Sequence, residues 1–396
     1  MAETTTPRKG WLDRNIFGMG LASLFGDFCY EMSNAVLPMF LATIGASAAS
    51  LGLIEGFSDA ISSFSKMGAG HYSDKMGKRK PIAALGYFIT AIAVAAFGFA
   101  TSAWQLLVAR SVGWFGRGVK GPPRDAMLSD ATTPEVRGRA FGFHRSMDTI
   151  GAVIGPFVAF ILVDHIGYRH LFFISFIPGL LAVAAFLIFT KETPHLTTKT
   201  VTFWANIKAM PREFQIFLIV VAVFGVGDFA HTLLILRASQ SLTPILGEHD
   251  AGQKAILLYT WHNIVYAAAA YPAGVLADRF GKKIMLIIGF IIAALMALGF
   301  AVAIPSFWNF AGLFTLGGIF LGITDSMEGA LAADLLPQEI RATGYGVLAT
   351  VNGIGDLVSS AMVGILWTSI APSVGFIYSA ALSILAAAVL IKVRKR

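Results

Sequence analysis

Two pairs of ionisable side chains lie inside long apolar segments of this chain, where a charge is costly. Asp27 and Glu31 are four residues apart, and Asp228 and His231 are three apart. Residues at these spacings share one face of a helix. Two carboxylates so close in a low-dielectric medium favour holding one proton between them. We predict that these four residues take part in proton coupling, with His231 either relaying protons or simply hydrogen-bonded.

A second set of polar side chains in the apolar segments could bind a substrate. Arg110 and Arg117 lie two helical turns apart on one face, and arginine holds a carboxylate or phosphate by two parallel hydrogen bonds. Basic residues concentrate in the N-terminal half and acidic ones in the C-terminal half. If the two halves enclose a cavity, one wall of it is basic and the other acidic. Such walls suit a substrate with an anionic part and a cationic or donor-rich part, or an anion exchanged for protons. The predicted substrate-binding residues are Tyr30, Glu55, Asp59, Arg110, Arg117, Arg145, Asp148, Asp325, Glu328, Asn352 and Asp356.

Structural pairing is the alternative role for the charges of the second and fifth apolar segments. Lys66 could pair with Asp148, and Arg145 with Glu55 or Asp59. Such pairs would hold the N-terminal half together without touching a substrate. For these residues, both roles stay open at the level of sequence.

The composition predicts that these residues lie on membrane-spanning helices. Of 396 residues, 56% are apolar and only 13% are charged, whereas soluble domains are about a quarter charged. About 20 helical residues cross the roughly 30 Å of bilayer hydrocarbon. We therefore predict an all-α membrane protein of twelve spans. The predicted spans are 15–43, 50–72, 81–101, 104–123, 140–164, 168–190, 213–237, 254–277, 283–304, 306–332, 342–368 and 371–391.

The basic residues predict how the chain is oriented in the membrane. Most of the 30 Lys and Arg residues lie at the termini and in the even-numbered connections, whereas the odd-numbered connections carry only Arg169 and Lys254. This distribution predicts a multi-pass protein of the cell (inner) membrane with both termini in the cytoplasm. The net charge of +7 thus reports orientation and does not indicate a nucleic-acid partner. The single cysteine, Cys29, excludes an internal disulfide framework and a cysteine-based zinc site.

A loop motif occurs twice, about 200 residues apart. Its copies are Gly70-x-x-x-Asp74-Lys75-x-Gly77-Lys78-Arg79 and Gly274-x-x-x-Asp278-Arg279-x-Gly281-Lys282-Lys283. Each follows an even-numbered span, and the glycines permit a tight turn. Asp74 could bond Arg124, or the motif could serve only as a basic anchor on the lipid surface. The predicted gating residues are Gly70, Asp74, Lys75, Gly77, Lys78, Arg79, Asp278, Arg279 and Gly281.

Two further repeats support an internal duplication. Gly26-Asp27-Phe28 matches Gly227-Asp228-Phe229, and the pattern from Pro134 to Gly142 recurs from Pro337 to Gly346. The repeats predict two parallel, pseudo-symmetric six-helix bundles. The predicted domains are residues 1–190, a cytoplasmic linker 191–212, and residues 213–396.

Two parallel six-span halves with this doubled loop motif resemble the major facilitator superfamily over the whole chain, although Lys75 stands where that family usually has arginine. The resemblance implies a secondary transporter that rocks its halves to expose a central site alternately to each side, with the loop motif as a latch. It also implies that spans one, four, seven and ten line the site, while spans two, five, eight and eleven lie nearer the seam. We expect a monomer without cofactors, whose partners are the lipid bilayer, a small-molecule substrate and protons.

Two glycine patterns favour export. Gly151-x-x-x-Gly155-Pro156 resembles a motif of antiporters, and Arg110-x-x-Gly113-x-x-Gly116-x-Gly118 resembles one of proton-driven exporters. Residues 157–160 are larger than the antiporter motif has there, and glycines can also simply let helices approach closely. We predict a proton-coupled secondary active transporter, an exporter (antiporter) of a small amphipathic or charged organic molecule.

Other functions remain as alternatives or are unsupported. A proton-coupled organic-anion transporter is favoured by the basic fourth span. A metal or metal-chelate transporter could use oxygen, sulfur and nitrogen ligands from Asp27, Cys29, Glu31, Asp228 and His231. An enzyme is not expected, because the chain contains neither GxxxxGK[ST] nor His-Glu-x-x-His.

Overall fold

A computed structural model describes residues 12–76, 78–132, 134–192, 210–337 and 340–392. Side chains at 70–71, 74–76, 134–139 and 341–343 are outside this description. The helices of the described residues are α1 (Arg14–Thr43), α2 (Ala48–Met76), α3 (Lys80–Ala96), α4 (Ala103–Asp130), α5 (Pro134–Phe189), α6 (Arg212–Gly225), α7 (Thr232–Leu246), α8 (Glu248–Phe280), α9 (Lys282–Val302), α10 (Phe307–Leu335), α11 (Arg341–Ser369) and α12 (Pro372–Lys392).

These helices form twelve spans in two bundles, which confirms the predicted fold class. The long helix α5 contains spans five and six, while α6 and α7 together form span seven, so that the other helices carry the number of their span. Among the described residues, six helical stretches are long and apolar enough to cross a bilayer by themselves. One is α9, whose exposed stripe of Ile284, Ile288, Ile291 and Leu295 suits contact with lipid.

Local signals set several helix ends. The backbone N–H of Ile16 donates to the Asp13 carboxylate at 2.8 Å, which caps α1. Gly167 adopts φ 71° between spans five and six, where the sequence predicts a connection. Gly281 adopts φ 92° between α8 and α9, in agreement with the tight turn predicted for the loop motif. The linker predicted at 191–212 lies mostly outside the described residues, and the domain boundaries stay a prediction.

Span seven differs from its prediction as one helix over 213–237. It is interrupted between Gly225 and Thr232 and continues to Leu246, and Asp228 lies in the interruption. The freed backbone groups find partners on other spans: the Ser359 hydroxyl donates to the Asp228 carbonyl at 2.6 Å, and the Ala230 N–H donates to the Ser360 hydroxyl at 3.0 Å. Asp27, its repeat mate, lies inside continuous α1. The two aspartates therefore occupy different backbone settings.

The two bundles meet along spans two and eleven and along spans five and eight. We call the membrane face where α1 begins and α12 ends the terminal face, and the other the opposite face. Near the opposite face, a Cβ on Gly52 would lie 2.0 Å from the Ser360 carbonyl oxygen, and one on Gly56 would lie 2.8 Å from the Leu357 Cα. Towards the terminal face, a Cβ would meet nothing within 4 Å at Gly68, Gly142, Gly274 or Gly346. The halves are thus closed together at the opposite face and apart at the terminal face.

This packing makes Gly52 a test of the closed contact. We expect Gly52→Leu to force spans two and eleven apart, because Ser360 leaves no room for a side chain. A cysteine at Leu236, which is 6% exposed and lines a cavity on the opposite face, should then react with a membrane-impermeant thiol reagent several-fold faster. The matched control is Gly68→Leu on the same helix, where the space is open. Equal labelling rates in the two variants would contradict this account of the closure.

Candidate functional site

Close packing of α1 on span five builds the centre of the N-terminal half. A Cβ on Gly151 would lie 2.2 Å from the Leu24 carbonyl oxygen, and one on Gly155 would lie 2.7 Å from the Met32 nitrogen. The glycine pattern of span five therefore lets the two helix backbones touch, as the packing interpretation predicts. This contact brings Asp148 of span five against Asp27 of α1.

The carboxyl groups of Asp27 and Asp148 interact with each other. A hydrogen bond between them needs one of them to be protonated, since an ionised carboxylate can only accept hydrogen bonds. The Ser23 hydroxyl donates to Asp148 Oδ1 at 2.6 Å. Lys120 and Arg117 of α4 supply the positive charges that face Asp27. Asp27 and Asp148 thus form a buried site that can hold one proton between two helices.

Glu31 takes other partners than Asp27, so the predicted Asp27–Glu31 pair is replaced by Asp27–Asp148. The Tyr259 hydroxyl of α8 donates to Glu31 Oε2 at 2.8 Å, and the Asn34 amide donates to Oε1 at 3.4 Å. Tyr259 belongs to the C-terminal bundle, and this bond therefore crosses the seam between the halves. Spacing on one helix put the two acids on one face but could not reveal which neighbour each would meet.

Arg110 is buried and bonded to other residues of the N-terminal bundle. Its predicted role in substrate binding therefore gives way to a structural one. Its guanidinium bonds Glu55 of α2, donates to Asn34 Oδ1 at 2.8 Å, and stacks on the Trp114 ring at 3.8 Å from the ring centroid. Arg110 and Glu55 are each only 2% exposed. Both terminal nitrogens are therefore occupied, and the pair holds α2 against α4 away from the open cavity.

Arg117 and Lys66 are two basic side chains that a ligand can reach, since Arg117 is partly exposed and Lys66 is exposed. The Arg117 guanidinium lies over the Tyr30 ring at 4.6 Å. Among the described residues, no carboxylate lies within 4.0 Å of the charged nitrogens of either. The alternative pairing of Lys66 with Asp148 is therefore absent from this part of the chain. Asp59, beside them, accepts a 2.7 Å hydrogen bond from the Trp114 indole.

The C-terminal bundle presents acidic side chains on its side of the site. The Asn352 amide donates to Glu328 Oε1 at 2.5 Å. Within the described residues, no lysine or arginine nitrogen lies within 4.0 Å of Asp228, Glu328 or Asp356. Together with Asp325 these are the acids that the sequence predicts for this wall. The basic and acidic walls therefore face one another with few direct ion pairs.

Two histidines lie behind the acidic wall. The rings of His231 and His262 are 5.0 Å apart, and the Nε2 atom of each is buried without a hydrogen-bond partner among the described residues. The predicted metal ligands do not converge: in the described part of the chain, no three His, Cys, Asp or Glu side chains are grouped to hold a metal ion.

Arg145 bridges the halves, contrary to the pairing with Glu55 or Asp59 weighed from the sequence. Its Nη1 donates to Asp148 Oδ2 at 3.1 Å, and its Nη2 lies 3.3 Å from Asp325 Oδ2 of α10. The same nitrogen bonds the Tyr266 hydroxyl, which donates to Asp325 at 2.9 Å. Arg145 and Tyr266 line a cavity of about 510 Å³ between span five and α8. The basic residue thus joins Asp148 to the acidic wall.

Sequence reasoning missed several residues of this site. Lys66 entered only as a pairing residue, Lys120 was noted as a basic residue of span four but left out of the predicted site, and Ser23, Tyr259 and Tyr266 did not enter at all. Lys120 follows Arg117 by three residues and shares its helix face, so helical spacing could have identified it. The two tyrosines lack such a signal, because their importance comes from the acids they meet across the seam.

The predicted gating motif is only partly described. Positions 70, 74, 75 and 77 lie outside the residues described in full, Lys78 is exposed, and Arg79 bonds Asp130. Arg124, the partner predicted for Asp74, lies 2.9 Å from Asp125. In the second copy Asp278 and Arg279 are exposed and form no ion pair within the described part of the chain.

Twelve spans in two bundles, with charged walls around a cavity open to one face, define a membrane transporter. The chain matches the sequence model of the Major Facilitator Superfamily over residues 19–249 and 234–396. The protein therefore belongs to the Major Facilitator Superfamily.

Known relatives and solved structures agree with this membership. An uncharacterized MFS-type transporter of Methanocaldococcus jannaschii is 33% identical over 96% of this chain and 95% of its own. A protein of Proteus mirabilis named multidrug resistance protein is 24% identical over 84% of each chain. The crystal structure of a POT family transporter in complex with 5-aminolevulinic acid superposes with a TM-score of 0.82 over 98% of this chain and 99% of that one. At 13% identity, this last likeness concerns the fold alone.

Proposed function

We propose that this protein is a proton-coupled antiporter that exports a small amphipathic or charged organic molecule by alternating access. The observation that carries the proposal is the buried Asp27–Asp148 carboxyl pair beside two opposed charged walls. It supports a proton site within one bundle and a substrate site between the two bundles.

The proton is held between Asp27 and Asp148. The pair lies where α1, α4 and span five meet, and the positive charges of Lys120 and Arg117 face it. These cations stabilise the ionised pair, whereas burial favours the protonated one. A group poised between these influences can take up a proton in one conformation and release it in the other. His231 remains our candidate for a proton relay on the acidic wall.

The substrate carries both charges. An anionic group binds Arg117 and Lys66, which have no ion partner within 4.0 Å among the described residues, while an amine or hydrogen-bond donor binds Glu328, Asp228 or Asp356 across the cavity. Tyr30 and Trp114 flank Arg117 and are only 4% and 2% exposed, so they position its guanidinium. This arrangement favours an amphoteric organic molecule over a simple anion.

Direction and placement rest on sequence signals. The basic termini and even-numbered connections favour a cytoplasmic terminal face in the cell (inner) membrane. The cavity observed here then opens to the cytoplasm and can load substrate for export. The two glycine patterns and the name of the Proteus mirabilis relative support the same direction. Asp278 and Arg279, which form no ion pair with the described residues in the open arrangement, engage as a latch when this face closes.

A proteoliposome screen tests the proposal. Vesicles with an imposed pH gradient are supplied with pools of amphoteric, anionic and cationic compounds, and accumulation is followed by mass spectrometry. We expect accumulation of amphoteric compounds only in vesicles whose gradient drives antiport. Accumulation limited to anions would favour the organic-anion alternative, and flux indifferent to the gradient would contradict proton coupling.

Arg117→Gln tests the substrate site within this screen. The variant loses the guanidinium that receives the anionic group, so we expect at least about a tenfold loss of apparent affinity, as for one charge-assisted contact of roughly 1.5–3 kcal/mol. Arg212→Gln, an exposed arginine at the start of α6, is the matched control and should transport normally. Equal affinity in the two variants would remove Arg117 from the site.

A further inference from the structure

Arg145 connects two features that the proposed function treats separately, the proton pair and the contact between the bundles. Its Nη1 meets Asp148, which also meets Asp27, while its Nη2 meets Asp325 and Tyr266 of the other bundle. One guanidinium therefore lies in a continuous chain of polar groups from α1 to α10.

Arg145 also has room to move. Its side chain is 57% exposed and lines the cavity between span five and α8, whereas the side chain of Arg110, paired with Glu55, is only 2% exposed. The partner carboxylate of Asp325 is 46% exposed. Both ion pairs of Arg145 are longer than 3 Å, at 3.1 and 3.3 Å, so neither holds the guanidinium alone. The Arg145 guanidinium can therefore shift towards Asp148 in one bundle or towards Asp325 in the other.

We propose that Arg145 is the positioning residue that transmits the charge of the Asp27–Asp148 pair to the contact between the two bundles. This inference rests on the proposed function. With its proton, the pair carries one negative charge, and Arg145 is shared with Asp325. When the pair loses the proton, it carries two negative charges and draws Arg145 towards Asp148. The bridge to Asp325 then breaks, and the bundles are free to separate further at the terminal face.

Other charged and titratable groups also influence whether Arg145 lies nearer Asp148 or Asp325. The proton pair is faced from α4, from α3 and from its own two helices, and Asp325 is faced from within its own bundle and by Arg145. Besides Arg145, the groups are Lys120, Arg117, Arg124, Tyr87, Tyr30 and His144 around the pair, and Tyr266, Asp228, His231 and Glu328 around Asp325. Arg145 is the cation with an ion pair to both Asp148 and Asp325 among the described residues.

Distance measurements between spin labels test the coupling directly. Labels are placed at Phe141→Cys and Tyr271→Cys, exposed positions on either side of the cleft, in a Cys29→Ala background that removes the single native cysteine. In lipid nanodiscs, we expect the label distance to increase from acidic to alkaline buffer. Asp325→Asn and Arg145→Gln should abolish this change. Arg145→Lys keeps the positive charge but loses the guanidinium, whose two nitrogens bond separate partners. We therefore do not expect it to restore the full change in label distance.

The matched control is Asp334→Asn on the same helix as Asp325. Asp334 pairs with Lys282 at 2.8 Å within the C-terminal bundle and has no link to the proton pair. This variant should keep the pH-dependent distance change. A change that persists in Asp325→Asn, or that is missing from the wild type, overturns the inference.

A flux assay on the same variants separates this inference from the proposed function. Asp325→Asn should lose most accumulation driven by a pH gradient. If Asp325→Asn accumulates substrate normally while Asp27→Asn does not, proton coupling stands and the role of Arg145 falls. If Asp27→Asn also accumulates substrate normally, the proposed function itself fails.

Discussion

Asp27→Asn is expected to abolish accumulation of substrate against its gradient while leaving downhill exchange largely intact. Asparagine has the shape of a protonated aspartate, and its amide can donate to Asp148 as the proton of the native pair does. The variant therefore mimics the protonated form permanently and has no proton to release. The measurement compares pH-driven uptake and counterflow in proteoliposomes of wild type and variant.

Asp334→Asn again serves as the control for Asp27→Asn, because it makes the same chemical change in an ion pair away from the site. It should retain both uptake and counterflow. Uphill transport at the wild-type level in Asp27→Asn would exclude Asp27 from the coupling step. Loss of counterflow with a lowered melting temperature would instead assign Asp27 a structural role.

Arg110→Met is expected to destabilise the protein strongly and to reduce transport in proportion. Arg110 bonds Glu55 and Asn34 in a buried setting, and its removal leaves the Glu55 carboxylate buried without its cation. Breaking such a pair costs about 3–5 kcal/mol, and stacking on Trp114 is lost as well. A thermal-shift assay in detergent measures the effect.

The double variant Arg110→Met, Glu55→Met separates stability from substrate binding. Replacing both members of a buried ion pair by apolar residues is often neutral or stabilising, so the melting temperature should recover towards that of the wild type. If Arg110 only holds α2 against α4, transport recovers with it. Recovery of stability without transport would return Arg110 to the substrate site that the sequence suggested.

The location of the site could be predicted better than its internal pairing. The charged residues singled out from apolar segments do gather around the centre of the molecule, because twelve parallel and antiparallel spans bring mid-segment residues to the same depth. Their partners depended on helix rotation and approach. Asp27 meets Asp148 since glycines let α1 and span five touch, and Arg110 meets Glu55 since both turn inward within one bundle.

The interruption of span seven shows the same limit for the backbone. Gly225 and Gly227 weaken the helix there, but Gly26 does not interrupt α1 in the matching repeat. Polar groups outside the helix make the difference: the hydroxyls of Ser359, Ser360 and Tyr378 bond the freed backbone of span seven. In lipid such a break is stable only where neighbours satisfy it.

The sequence by itself determined the number of spans, most of their limits, the internal repeat and the superfamily. These follow from apolar length and from short motifs, which are local properties of the chain. The tertiary structure decided which carboxylates lie together, which arginine forms a buried ion pair and which has none among the described residues, and where span seven breaks. Those features depend on which helix faces meet across the bundles, and an ionisable side chain in a membrane takes its chemistry from the few groups that it can reach.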